Sequence, residues 1–483
     1  MYWIRDKQTN LFGPIAMLLL WISCVLAIVG MECDVDVSIF WAINFIWLSN
    51  LCYSMAKYSK RYIFLVINLT YFLFYIGRIT MNYLFEGNFA LKFSQETILE
   101  TMGVIFSGLL FLRFFSSVFE HVRRNRELIA TSNQGDIELI RRLAKMFYWG
   151  TYIFAFAVIA ERVIFVQAMG YVDFYASYSS RMPGIVSRLA SVNEVMFFIF
   201  LASAPKKKET RLVIFAFLFL GVLSLGYGQR NPLAVKFLFI FMIYIPLREA
   251  RSDEEDGEQW ITRTYKTFLL ISIPAMVLLL AMWKFHRQDL SFEGGLGDLV
   301  IDFFDTEGNS AYIIGLAIEN IKEFPDKFII YTLEPIHEFL TNNFIYKMLF
   351  GAKSALIYEN SVYAAMNSWD IGKPLSYFAN PVAYANGVGT GSCYLVEVFV
   401  DFGYMGVALI SMLYSYIINF VQRGTKCSWI VSTIMLLSVY EIMYAPRDLA
   451  LSFVGKFFSF TFIAIAIVMY AIYRYIVSRR EDL

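Results

Sequence analysis

From Leu11 to Val29 the chain carries no charged side chain, and segments of the same character recur almost to its end. In a bilayer each such segment crosses the hydrocarbon as a helix, because about 20 apolar residues match its thickness and no backbone group can be left unbonded there. Hydrophobic residues make up 58% of the 483 and charged residues 17%, against about 25% charge in an ordinary soluble domain. That balance excludes a soluble enzyme, a disordered chain and a collagenous repeat, and 5 cysteines do not make a disulfide scaffold. The sequence predicts an all-α polytopic membrane protein.

The spans fall at Leu11–Val29, Val37–Met55, Tyr62–Leu84, Ile98–Phe119, Phe147–Met169, Gly184–Ala204, Leu212–Tyr227, Asn231–Leu247, Thr267–Trp283, Tyr404–Val421, Trp429–Ala445 and Phe453–Tyr473, about 12 in all. The first is read as retained, because Gly30 leads into Glu32, Asp34 and Asp36 without a small-residue cleavage motif. Only GYGQRNP separates the seventh span from the eighth, a sharp turn by its glycines and proline. The acidic patch Ser252–Glu258 reads as a solvated linker. No internal repeat and no inverted pair of broken helices stands out.

Basic residues set the orientation. With the N-terminus cytoplasmic, about 24 Lys and Arg fall on inner loops against about 10 outside, as the positive-inside rule requires. Both termini are then cytoplasmic, and the chain divides into spans 1–9 (residues 1–285), a large outward loop with amphipathic helices (286–402) and spans 10–12 (403–483). Ser310 to Ile321 has a helical apolar stripe within that loop. The aromatics of Tyr358 to Tyr384 either stack on sugar faces or build a core.

There is no P-loop, no HExxH and no Cys-x-x-Cys, and the three histidines are His121, His286 and His337. Neither a metal centre nor a cofactor is expected, and a net charge of +1 gives no ground for nucleic-acid binding. Cys33 and Cys393 both face outward, so a disulfide between them is open. Arg78, Arg113, Glu161, Arg162, Arg188, Glu194, Lys236, Glu441 and Lys456 lie at membrane depth, where ionisable groups pair, snorkel or serve a site.

Outward helix ends are otherwise poor in basic residues, yet Arg230 lies in the GYGQRNP turn, Arg287 follows the ninth span, Arg447 opens the turn before the twelfth, and Arg181 and Arg188 begin the sixth. Arginine's planar fork suits phosphate oxygens and keeps its charge, so these residues fit an anionic ligand, or lipid headgroups, near the outer surface. In GVGTGSCYLVEVFVDFGYMG, Gly387 to Gly406, Glu397 and Asp401 are four apart and so share one helical face. They either take a proton from a sugar hydroxyl, bind such hydroxyls, or form a solvated face.

Four segments in order, FYASYSSRMPG (Phe174–Gly184), LGYGQRNPL (Leu225–Leu233), GTGSCYLVEVFVDFGYMG and APRDLALSF (Ala445–Phe453), make the chain resemble the Wzy-type polymerases of O-antigen, enterobacterial common antigen and capsule repeat units. The resemblance covers most of the chain from about residue 150. It implies a GT-C-like inner-membrane enzyme whose large loop is periplasmic. The implied reaction passes a growing glycan from undecaprenyl pyrophosphate to a new lipid-linked repeat unit, inverting and without metal. By position it assigns catalytic roles to Arg230 and Arg447, with Arg287 beside them. Glu397, His286 and His337 stand as candidates for the acceptor's proton, with Arg181, Arg188, Tyr178 and Asp448 at the substrate. Implied partners are lipid-linked oligosaccharides, membrane lipid and a chain-length regulator. Two alternatives stand beside it: an O-antigen ligase acting on lipid A core, which shares the outer loop and the arginines, and a non-catalytic lipid-linked oligosaccharide flippase or other transporter, against which the long outer loop argues.

Overall fold

The computed structural model describes residues 11–121, 134–255, 258–287, 294–325, 328–350, 360–422 and 428–481, and among these every regular element is a helix. The long helices are α1 (Phe12–Glu32), α2 (Asp36–Ala56), α3 (Tyr58–Glu86), α4 (Gln95–His121), α5 (Gln134–Met169), α6 (Gly184–Ala202), α7 (Lys207–Leu225), α8 (231–255), α9 (Arg263–Arg287), α10 (Tyr394–Gln422), α11 (Trp429–Tyr444) and α12 (Phe460–Glu481). Among the described residues nine of them, α1–α6 and α9–α11, are long and apolar enough to cross a membrane. The chain is an all-α polytopic membrane protein. Its helices leave large apolar side chains uncovered, such as Leu18, Trp21 and Val25 on α1 and Leu270 on α9, which lipid rather than protein covers.

Local chemistry sets several boundaries. Gly228 takes φ +85° in the turn between α7 and α8, and Pro232 sits in the first turn of α8, where its missing N–H costs nothing. Phe72–Ile76 of α3 and Phe239–Tyr244 of α8 are π-helical turns. Between α9 and α10 lie short helices, among them Leu296–Glu307, Asn309–Glu319, Glu334–Thr341 and Gly372–Ala379. The second of these realises the stripe expected at Ser310 to Ile321.

Packing groups the chain into two compact units. One is Met1–Val122, Phe292–Gln422 and Glu441–Ser452; the other is Arg123–Ser291, Arg423–Tyr440 and Phe453–Leu483. The second unit is held by contacts such as the stacked rings of Phe197 and Phe217, 3.8 Å apart, and the Asn193 amide donating to the Tyr148 carbonyl at 2.8 Å. In the first unit polar side chains tie α1–α4 together: Ser49 donates to the Ala16 carbonyl at 2.6 Å, and the Asn50 amide to the Asn68 side chain at 3.0 Å. With no hydrophobic effect between helices in lipid, such bonds and close packing do the joining. The Leu296–Glu307 and Asn309–Glu319 helices sit where α3 ends and α4 begins, held by Asp305 on Arg78 (3.3 Å) and on Asn82 (3.1 Å).

The sequence treats the stretch before Tyr404 as an amphipathic helix leading into a span. The structure instead folds α10 back on itself. Gly403 breaks the helix with φ +59° and ψ −148°, and the carbonyl of Val398 abuts Gly406. The rings of Tyr394 and Tyr414 are 5.2 Å apart, where a straight helix would separate them by about 30 Å at 1.5 Å per residue. The first half, 394–402, is therefore a re-entrant half-helix. Its start lies level with the midpoint of α4, because Leu395 packs on Gly108, the central residue of Gln95–His121.

Cys24, Cys33, Cys52 and Cys393 are free thiols, with Cys33 exposed and Cys393 buried at the start of this half-helix. The Cys33–Cys393 bond left open by sequence is not formed; Cys427 lies outside the described residues.

Candidate active site

The re-entrant half-helix carries both carboxylates of the i, i+4 pair, and each clamps a different segment of the first unit. Glu397 is fully buried. One of its oxygens accepts the Ala450 N–H at 2.8 Å and the other the Ser392 hydroxyl at 3.1 Å. Tyr414, across the hairpin, donates to the Ala450 carbonyl at 2.6 Å. Ala450 is thus held on both sides, and with it the non-helical stretch that follows the short 3-10 turn Ala445–Arg447. Asp401 accepts the N–H groups of Tyr331 (3.0 Å) and Thr332 (2.7 Å) and the Thr332 hydroxyl (2.6 Å), which fixes the entry to the Glu334–Thr341 helix.

Irregular backbone level with the middle of a spanning helix is tolerated only inside protein or beside a water-filled cavity. Here two such pieces meet: the glycine-rich strand of chain ending at Ser392, where Gly387 and Gly391 take φ +83° and +78°, and the Arg447–Ala450 turn. Arg447 is half-buried, and its Nη1 is buried with no hydrogen-bond partner among the described residues. A guanidinium with a spare donor at such a place is poised for an anionic group.

Glu338 and Asp370 of the loop and Asp448 of this turn lie close enough to Glu334 for their charges to interact with it. Burial, helped by the charges of Glu338, Asp370 and Asp448, pushes the Glu334 carboxyl up to about 8, and its Oε2 is buried without a partner among the described residues. Burial also raises Asp370, although the Gly372 N–H (2.8 Å) and Lys373 oppose it. Asp448 accepts the N–H of Leu449 at 2.8 Å. His337 lies flat on Trp369, ring centroids 4.3 Å apart at 5°, and its burial lowers its pKa.

The remaining residues predicted from sequence belong to the second unit. Arg230 is buried and donates to the Leu280 carbonyl at 2.8 Å. Glu161 organises the FYASYSSRMPG segment, accepting from the Tyr178 hydroxyl (3.1 Å), the Ser180 hydroxyl (2.6 Å) and the Arg181 N–H (2.7 Å). The side chains of Arg181 and Arg188 are exposed. Those of His286 and Arg287 lie outside the described residues. Of the other charges at membrane depth, Lys456 pairs with Glu194 at 3.4 Å, Lys236 lies over the Phe217 ring at 3.5 Å and, in the first unit, Arg113 lies over the Tyr53 ring at 3.1 Å. Glu334 and Asp370 carry no motif, and the one sequence signal is that Glu334 stands next to a loop proline that starts a helix.

A family model described as O-antigen polysaccharide polymerase Wzy matches residues 14–480. No curated protein and no solved structure matches the chain.

Proposed function

The chain belongs to the O-antigen polysaccharide polymerase Wzy family, and from that premise we propose a specific transfer: a growing glycan leaves undecaprenyl pyrophosphate and joins the non-reducing end of a new lipid-linked repeat unit. Its family acts on lipid-linked repeat units and polymerises them. The observation that carries the site assignment is Arg447, with a buried nitrogen that has no partner among the described residues, on a turn held at the depth of the α4 midpoint.

Breaking the bond between sugar C1 and pyrophosphate leaves charge on the departing oxygen. A fixed guanidinium in a poorly hydrated site stabilises that charge without having to reorganise, the larger part of many rate enhancements. Arg447 therefore holds the donor pyrophosphate and lowers the barrier to its departure, with no metal in the step. Attack by the acceptor hydroxyl from the opposite face inverts C1. Glu397 acts through the turn as a positioning residue, because both its oxygens are occupied by protein donors. Arg230, Arg287, Arg181 and Arg188, with Tyr178, are carried as candidates for the anionic heads of the lipid-linked substrates. The excess of basic residues on alternate loops supports cytoplasmic termini and an outward-facing large loop, and membership of the Wzy family supports the bacterial inner membrane, with that loop in the periplasm.

The test is Arg447→Ala in a strain lacking its own enzyme, with surface glycan resolved by length on a gel. Single repeat units on lipid A core in place of a ladder, at normal protein level, are expected. A normal ladder would remove Arg447 from the mechanism, and complete loss of attached repeat units would point to a ligase.

A further inference from the structure

We propose that Glu334 is the general base of this reaction, taking the proton of the acceptor sugar's attacking hydroxyl. The inference rests on the polymerase reading given above. A base must offer a free oxygen, and the carboxylates around the site differ in that respect. Glu397 and Asp401 each have both oxygens engaged by donors of the protein. Asp370 accepts the Gly372 N–H, and Asp448 the Leu449 N–H. Glu334 alone of these five keeps a buried oxygen with no partner among the described residues.

Its position has the same origin as that of Arg447. One turn apart on a single half-helix, Glu397 fixes the Arg447–Ala450 turn and Asp401 fixes Tyr331 and Thr332, just ahead of Glu334. The half-helix therefore sets the acid–base group and the leaving-group cation from one rigid element, which is how sub-ångström placement is obtained. Asp448, next in the chain to Arg447, lies close enough to Glu334 to perturb it, as do Asp370 from the neighbouring loop and Glu338 on its own helix. Those three negative charges and burial keep the carboxyl basic, near the pH at which a general base works best.

In the step, the acceptor O–H bond breaks and its proton passes to Oε2 of Glu334. The oxygen forms its bond to C1 of the donor sugar. The bond from C1 to the pyrophosphate oxygen breaks, and that electron pair leaves on undecaprenyl pyrophosphate beside Arg447.

The test is a pH series on purified wild-type, Glu334→Gln and Glu338→Gln proteins with a synthetic lipid-linked repeat unit, reading undecaprenyl pyrophosphate released. In the wild type, kcat/KM should rise with pH through about 8. Glu334→Gln should lose about 10²–10⁴-fold in kcat with KM little changed, and lose that pH limb. Glu338→Gln removes a neighbouring negative charge, so its limb should move to lower pH with activity retained. If the wild type releases no undecaprenyl pyrophosphate at any pH, the polymerase reading itself fails. If the wild type is active and Glu334→Gln keeps rate and limb, only the base assignment falls. Should Glu334→Gln fail to accumulate, an unmoved limb in Glu338→Gln overturns it.

Discussion

Glu397 accepts the backbone N–H of Ala450 at 2.8 Å, and this bond joins a half-helix starting at the midpoint of α4 to the turn that carries Arg447. The carboxylate is a bracket for the guanidinium. Its value to catalysis lies in where it holds Arg447, so its chemistry can be replaced if its hydrogen bonds are kept.

Glu397→Gln should therefore be tolerated. The new carbonyl can accept from Ala450 while the new NH₂ donates to Ser392, whose hydroxyl turns to accept. Glu397→Ala leaves two buried donors without acceptors, at about 1–3 kcal/mol each, and frees the turn. Glycan ladders should persist with Gln and collapse to single units with Ala. Equal loss in both variants would make Glu397 a proton carrier.

Gly403 should resist substitution for a reason that is purely conformational. Nothing lies within 4 Å of where its Cβ would stand, yet φ +59° with ψ −148° is a region L residues avoid. Gly403→Ala should cost about 1–3 kcal/mol. Gly150→Ala, equally uncrowded but within the α5 helix, should be neutral or stabilising. Thermal unfolding in detergent compares them, and equal melting temperatures would mean that the hairpin does not depend on Gly403.

At the far end of α4, Glu120 accepts from Arg61 (2.6 and 2.9 Å) and from the Tyr53 hydroxyl (2.8 Å), while Arg61 also donates to the Tyr53 carbonyl. Guanidinium carbons of Arg61 and Arg113 lie 3.4 and 3.1 Å from the Tyr53 ring centroid. Two such groups cannot share one face of a ring, so each covers its own. Glu120→Ala strands a largely buried cation and should cost about 3 kcal/mol. Glu120→Leu with Arg61→Met should recover most of it, measured by the same unfolding assay.

Glu334 also sets a pH dependence of stability. Its folded pKa of about 8 exceeds the ordinary 4.5, so between those values the folded state holds a proton that the unfolded chain releases. Stability must then fall as pH rises through that window. Asp370, raised by burial, acts in the same direction. The melting temperature of the wild type should decline from pH 5 to 8, and that of Glu334→Gln should decline less; parallel profiles would place Glu334 in water.

Much of this architecture is written locally, and the spans are its clearest part. Long uncharged stretches, the GYGQRNP turn and the helical stripe from Ser310 are set by the residues that form them. The Gly403 hairpin was hidden because a glycine inside 29 mostly apolar residues looks the same whether the helix continues or reverses. Glu397 and Asp401 were visible as a pair on one face. Their partners, Ala450 and Thr332, are more than 50 residues away in sequence, so their clamping role is a tertiary fact. Glu334 was invisible for a related reason: a free oxygen and burial are properties of the packed unit, and no spacing announces them.

The central claim is that a turn clamped at the depth of the α4 midpoint presents Arg447 to a lipid-linked pyrophosphate. It is tested most directly by undecaprenyl pyrophosphate release from a synthetic lipid-linked repeat unit by purified wild-type, Arg447→Lys and Arg447→Ala proteins of equal melting temperature. The account predicts release and chain extension by the wild type, a partial rate for Lys, and a loss of about 100-fold or more for Ala, of the size seen when one transition-state donor is removed. A wild-type rate from Arg447→Ala would contradict it.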